Sequence, residues 1–164
     1  MSVIGNQVED YTTHNCLEFH QDADYARILN IRRSVSVILH TLLDVAICWK
    51  VNIQIDRGSD STDGEIRCTH KAVKKTKFIC KYMEALSFQT GSPKLHRKGN
   101  TSCIYVVEAK IVTPSVKHVV IPICFLLKEF GNGFSIPKYD KSSLLLADMC
   151  TKPCSGKIIS QSTK

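Results

Sequence analysis

The side chains in this chain that could do chemistry are mostly cations. Between Arg67 and Lys98, nine lysines and arginines stand against a single acid, Glu84. Residues 1–66 are net acidic, so the chain's overall charge of +7 is concentrated rather than spread. Lys71, Lys74, Lys75, Lys77, Lys81, Lys94, Arg97 and Lys98 are the candidate polyanion-binding residues. Ammonium and guanidinium groups gathered in this way bind phosphate by releasing condensed counterions, with steep salt dependence and little sequence preference. The same charges would hold an anionic membrane surface, at about 1 kcal/mol per nearby cation. Lysines stacked along one helix face repel one another, which points to a counter-charge outside the helix.

Other chemistry is less marked. The chain has eight cysteines and six histidines, but no local context picks a nucleophile from among them. Gly58 to Gly64 lacks the Gly-Lys-Ser/Thr ending of a phosphate loop, and no Gly-x-Ser-x-Gly elbow occurs. The expectation is therefore a protein that is not an enzyme. Cys16 and His20, Cys68 and His70, and Cys150 and Cys154 stand near metal-ligand spacing. Zinc needs four such ligands, usually from two tight pairs, and no Cys-x₂-Cys is present. Neither metal nor cofactor is expected, with zinc at Cys150 and Cys154 left open. The acids from Asp56 to Asp63 lack the closing glutamate of a calcium loop.

Composition frames these residues. Hydrophobic content of 43% and charged content of 23% suit a folded domain. No apolar run reaches the roughly 18 residues of a membrane span. Met1 to Asp10 is polar and acidic, unlike an export signal, so the cysteines are expected to be reduced in cytoplasm or nucleus.

Several elements must position the cations. Residues 1–24 read as a mobile acidic arm, 25–150 as one globular domain, and 151–164 as a flexible tail. Val35, Ile38, Leu39, Leu42, Val45 and Ala46 recur at helical spacing, so Ser34 to Ala46 is expected to be a helix, although Val35 and Val37 alternating with serines leave a strand open at its start. Trp49, Val51, Ile53 and Ile55 alternate with polar residues, predicting a strand with those four turned inward. Lys71 to Phe88 reads as a second helix, with Ala72, Thr76, Ile79, Met83 and Leu86 on its inner side. Lys94 to Lys98 reads as an exposed loop between Pro93 and Gly99. Cys103 to Thr113 and Val119 to Leu127 read as strands, the latter at an edge or bulge because Pro122 cannot donate to a ladder. Phe134 to Tyr139 is a short last strand, and Leu144 to Met149 a short helix or strand. Together they predict an α+β fold: a single domain with an antiparallel sheet packed against two helices.

Compact size, basic balance, abundant Cys and Ile, and this order of elements resemble the matrix proteins of rhabdoviruses. The plant-infecting members are most similar, over roughly residues 45–140. The family's proline-rich budding motif is absent. The resemblance implies a non-enzymatic viral structural protein that self-associates and bridges the nucleocapsid or RNA to an anionic membrane through the basic patch. It would sit in the virion and in host cytoplasm or nucleus, neither secreted nor membrane-spanning. The alternative is a viral accessory regulator or RNA-silencing suppressor that binds RNA, with stoichiometric zinc as its marker. A third class, a small cysteine-dependent enzyme, would show one thiol that alkylates fast.

Overall fold

Phe19 is fully enclosed, stacked between sheet and helices, and the described chain is arranged around it. The computed structural model describes residues 17–28, 33–55, 61–91, 93–99, 101, 105, 119–141 and 145–151. Strands β1 (Leu17–Ile28), β2 (Arg33–Leu42) and β3 (Val45–Ile53) form an antiparallel meander. Helix α1 (Ser61–Ala85) follows, then β4 (Lys94–Lys98), helix α2 (Val120–Gly131), β5 (Ser135–Tyr139) and the short helix α3 (Asp148–Thr151). The strand order is β3-β2-β1-β4-β5, with β4 parallel to β1 and β5 parallel to β4. The expected α+β domain, a sheet packed on two helices, is what forms. Its sheet is mixed, antiparallel in the first three strands and parallel in the last two.

Period-two alternation sorts β1. Leu17, Phe19, Gln21 and Ala23 face α1, while Glu18 and His20 face the other side. Ile66, Ala72 and Val73 of α1 and Ile123 and Leu126 of α2 close over Phe19 and Ile38. Enclosing one side chain the size of phenylalanine contributes about 1.5–3 kcal/mol. On the opposite face, Leu145 and Ala147 cover Val37.

Several expectations change here. Ser34 to Ala46 is not a helix but β2, a tight turn and the start of β3. Leu43 and Asp44 both have positive φ, the geometry of a two-residue hairpin turn that matches strand twist. β3 is the expected strand, yet Trp49, Val51, Ile53 and Ile55 are exposed, and Trp49 keeps 68% of its surface. The edge position of β3 leaves that row outside, while Gln54 is the buried one. Gln54 donates to Ser36 Oγ at 2.7 Å and to the Gly64 carbonyl at 2.9 Å, tying the start of α1 to the sheet.

α1 begins ten residues before the expected Lys71, so its N-terminal turns, not its lysines, carry much of the buried surface. Past its end at Ala85, Ser87 in the left-handed region closes it off, with Phe88 N–H bonding the Met83 carbonyl and Ser87 N–H that of Glu84. Leu86 lies past the helix and is exposed. Val119 to Leu127 is helical rather than extended. Pro122 falls in the first turn of α2, where no backbone donor is needed. β5 matches the expected last strand, with Pro137 at the sheet edge. The acidic arm gives residues 17–24 to the central strand. Residues 1–16, 152–164 and the strand expected at Cys103 to Thr113, apart from exposed Tyr105, lie outside the described residues.

Candidate functional site

The eight cations do not form one patch. Lys71, Lys74, Lys75 and Lys81 stand on the outward side of α1, Lys75 half-buried and the others exposed. Lys77 is held by Glu129 of α2 at 2.7 Å. Lys94, Arg97 and Lys98 belong to β4, not to an open loop, and alternation sends them to opposite faces. Lys94 is buried, its ammonium donating to the Thr90 and Gly91 carbonyls. As phosphate contacts, Lys94 and Lys98 are excluded by enclosure, and Lys77 and Arg97 are committed to carboxylates.

Lys98 is 1% exposed and ends in a polar cluster beneath α1. Its Nζ lies 3.2 Å from Thr69 Oγ1 and 4.0 Å from Glu65 Oε2. Gln21 Nε2 donates to Thr69 Oγ1 at 2.8 Å and to Glu65 Oε2 at 3.2 Å. Four residues from β1, α1 and β4 thus hold one another inside the protein, although the Gln21 side-chain oxygen finds no hydrogen-bond partner. Two-metal phosphodiester hydrolysis uses converging carboxylates. This cluster offers one carboxylate, with an ammonium already beside it. Among the described residues, no group of three His, Cys, Asp or Glu could hold a metal ion. The residues therefore do not fit a divalent cation, and no hydrolytic step is drawn through them.

On the other face, Arg97 Nε donates to Glu18 Oε2 at 2.6 Å and its Nη1 to Asp140 Oδ2 at 3.0 Å. The hydrogen bond to Glu18 leads in raising the guanidinium's pKa. His20 lines the same cleft and is held neutral, first by burial and then by Arg97. His96 is sandwiched on Phe19, with centroids 4.3 Å apart, and burial keeps it well below the usual imidazole range.

Among the described residues, neither Cys68 nor Cys80 offers a reactive thiol. Cys68 is enclosed and donates to the Asp22 and Val37 carbonyls, and burial pushes its thiol pKa up. Burial also raises that of Cys80. His70 meets Phe125 edge-on at 5.0 Å, so Cys68 and His70 do not act as a ligand pair. Cys16 and Cys154 lie outside the described residues.

What remains outward is one basic, aromatic helix face. Phe78 and Tyr82 are 61% and 60% exposed, one helical turn apart. Lys75 Nζ sits 4.9 Å from the Phe78 ring centre. Among the described residues, no carboxylate lies within 4 Å of Lys71, Lys74, Lys75 or Lys81. Sequence reading found these lysines but not the aromatics between them, because an exposed Phe or Tyr at helical spacing normally reads as core.

No family model and no curated protein matches the chain. Solved structures do. One is RNase H1 of LC11, isolated from compost by a metagenomic approach, with a TM-score of 0.59 over 92% of this chain and all of that one, at 7% identity. Another is the N-terminal RNase H domain of a Mycobacterium tuberculosis protein, solved as a fusion with maltose-binding protein. Its TM-score is 0.50 over 92% of this chain and 97% of that one, again at 7% identity. The fold is that of RNase H domains. This overturns two expectations. The assembly-protein function rested on the basic run and the matrix-protein resemblance, and the assignment as a non-enzyme on the silence of sequence motifs, whereas the fold found is one that enzymes use. No helix among the described residues is long and apolar enough to cross a membrane.

Proposed function

We propose that this chain is a nucleic-acid-binding domain on an RNase H fold, contacting single strands through the outer face of α1. Lys71, Lys74, Lys75 and Lys81 take backbone phosphates, and Phe78 and Tyr82 stack bases. The observation that carries the reading is the interleaving of exposed cations and exposed aromatic rings on one helix face. That combination, a positive track with π platforms, is how single strands are held without sequence preference. The fold shared with RNase H domains supports nucleic acid over other polyanions.

The test is fluorescence anisotropy of labelled single-stranded RNA and DNA over a salt series, with anionic vesicles as a parallel probe. Each of Lys71→Gln, Lys74→Gln, Lys75→Gln and Lys81→Gln should lower the salt slope by about 0.7. Phe78→Ala and Tyr82→Ala should weaken binding by about 1–3 kcal/mol per lost stack, with little change in salt slope. All six side chains are at least partly exposed, so urea midpoints should stay near that of the wild type. Unchanged affinity in the quadruple lysine variant overturns the proposal, as does retention on vesicles without binding to either nucleic acid.

A further inference from the structure

α1 lies over β1 and β2 and leaves only the middle of β3's inner side open at the sheet's edge, at Lys50 and Asn52, between half-buried Cys48 and buried Gln54. The result is an open groove of about 130 Å³ between strand and helix. Strand register explains what lines it. Lys50 pairs with Ile38 and Asn52 with Ser36, so both point to the α1 side, opposite to the exposed Trp49 row. Lys71 and Lys75 reach the groove from the helix, one turn apart. Ile38 and His40 form its floor. Three lysines from two elements therefore line one hollow, and no carboxylate is among its lining residues.

His40 reports the sign of the local field. Its Nε2 lies 3.0 Å from Thr76 Oγ1. Its pKa is lowered to about 4, first by burial and next by the Lys75 charge. The floor therefore adds no positive charge at neutral pH and keeps the three ammoniums as the only full charges in the lining. The hollow is open to solvent and has room for a tetrahedral oxyanion.

We infer that this groove seats one phosphate of the bound strand, gripped by Lys50, Lys71 and Lys75, with the Asn52 side-chain amide as a neutral donor. The inference rests on the nucleic-acid reading above and adds to it a fixed anchor outside the helix. Phe78 lies three residues beyond Lys75, about 4.5 Å along the helix axis. A phosphate in the groove would thus place the neighbouring base at the aromatic pair, giving the strand a register on the protein. Point-charge ammoniums suit a phosphate that must be held without a planar fork.

Lys50 decides the matter, because it is on β3 and belongs to no helix face. Lys50→Gln should weaken single-strand binding about as much as Lys71→Gln and lower the salt slope by about 0.7. Lys50→Arg should restore both. In two-dimensional ¹H–¹⁵N spectra, inorganic phosphate should shift the Asn52 side-chain amide of the wild type and leave it unmoved in Lys50→Gln. Urea midpoints of the three proteins establish that each is folded. Loss of binding in the α1 variants with none in Lys50→Gln leaves the helix-face reading standing and removes the groove anchor. Full binding by all variants removes both. Phosphate shifts that persist in Lys50→Gln also overturn the anchor.

Discussion

Replacing Lys98 with methionine should be among the most damaging changes available in this protein, although the residue looks like surface charge in the sequence. Methionine keeps the length of the stem and removes only the ammonium. Glu65 is 4% exposed and would keep its carboxylate with the nearby cation gone. Gln21 Nε2 would still donate to it at 3.2 Å, but an amide hydrogen bond does not balance a buried charge. Breaking a buried pair by removing one partner costs about 3–5 kcal/mol. A domain of this size is stable by only about 5–15 kcal/mol, so the loss is a large share. At roughly 2–4 °C per kcal/mol, Tm should fall by about 6–20 °C. Neutralising Glu65 as well should reverse most of this. The double variant Lys98→Met with Glu65→Gln should be more stable than Lys98→Met alone, with a coupling of about 0.5–3 kcal/mol. Urea unfolding at pH 7 measures all four corners of the cycle, and a constant m-value shows that the unfolded states are comparable. Two results refute the reasoning. One is a Lys98→Met variant within about 1 kcal/mol of wild type, well below the expected cost. The other is strict additivity between the two substitutions.

Acid should weaken the fold before its carboxylates titrate. His40 is neutral in the folded protein with its pKa near 4, below the 6.5 of an exposed imidazole. The unfolded chain therefore binds more protons between those values, and stability falls as pH drops through that window. At about 1.4 kcal/mol per pH unit, His40 accounts for about 2 kcal/mol between pH 6.5 and 5. His96 and His20 push in the same direction. Urea midpoints across this range should show a shallower slope in His40→Gln, and an identical slope would contradict the assignment. The β2–β3 turn offers a gain. Leu43 and Asp44 both sit at positive φ, which strains a leucine most and which Asn and Gly suit best. The pair Leu43→Asn with Asp44→Gly should raise stability by about 1 kcal/mol, seen as a higher Tm. A lower Tm would mean that those side chains hold the turn.

The parts of this molecule that could be read from its sequence were the ones where one periodicity meets one environment. β3 alternates cleanly and is a strand. β2 misleads because it is enclosed on both sides, Ser36, Ile38 and His40 under α1 and Val37 under Leu145. Apolar residues on both faces of a strand produce helical spacing by accident, and a hairpin turn without Asn-Gly gives no warning. Alternation in β3 fixed the period but not the sign. Trp49 points outward because the sheet ends there, a fact of strand order that no local window contains. β4 carried the costliest error for function. Lys94, His96 and Lys98 alternate with Leu95 and Arg97 in strict period two between Pro93 and Gly99, which is a strand pattern with a polar inner face. It reads as a loop only on the assumption that inner faces are apolar. Its neutralising groups are Glu65 on the helix and Glu18 on β1, the latter 79 residues from Arg97. Charge counting sees neighbours in sequence, whereas a cation is free or spent according to neighbours in space. A basic run splits at the boundary between elements. In α1 Lys71, Lys74, Lys75 and Lys81 stay available to a ligand, and only Lys77 is taken, by Glu129 of α2. In β4 the pleat turns Lys94 and Lys98 toward the interior, where backbone carbonyls hold the first and Thr69 with Glu65 the second.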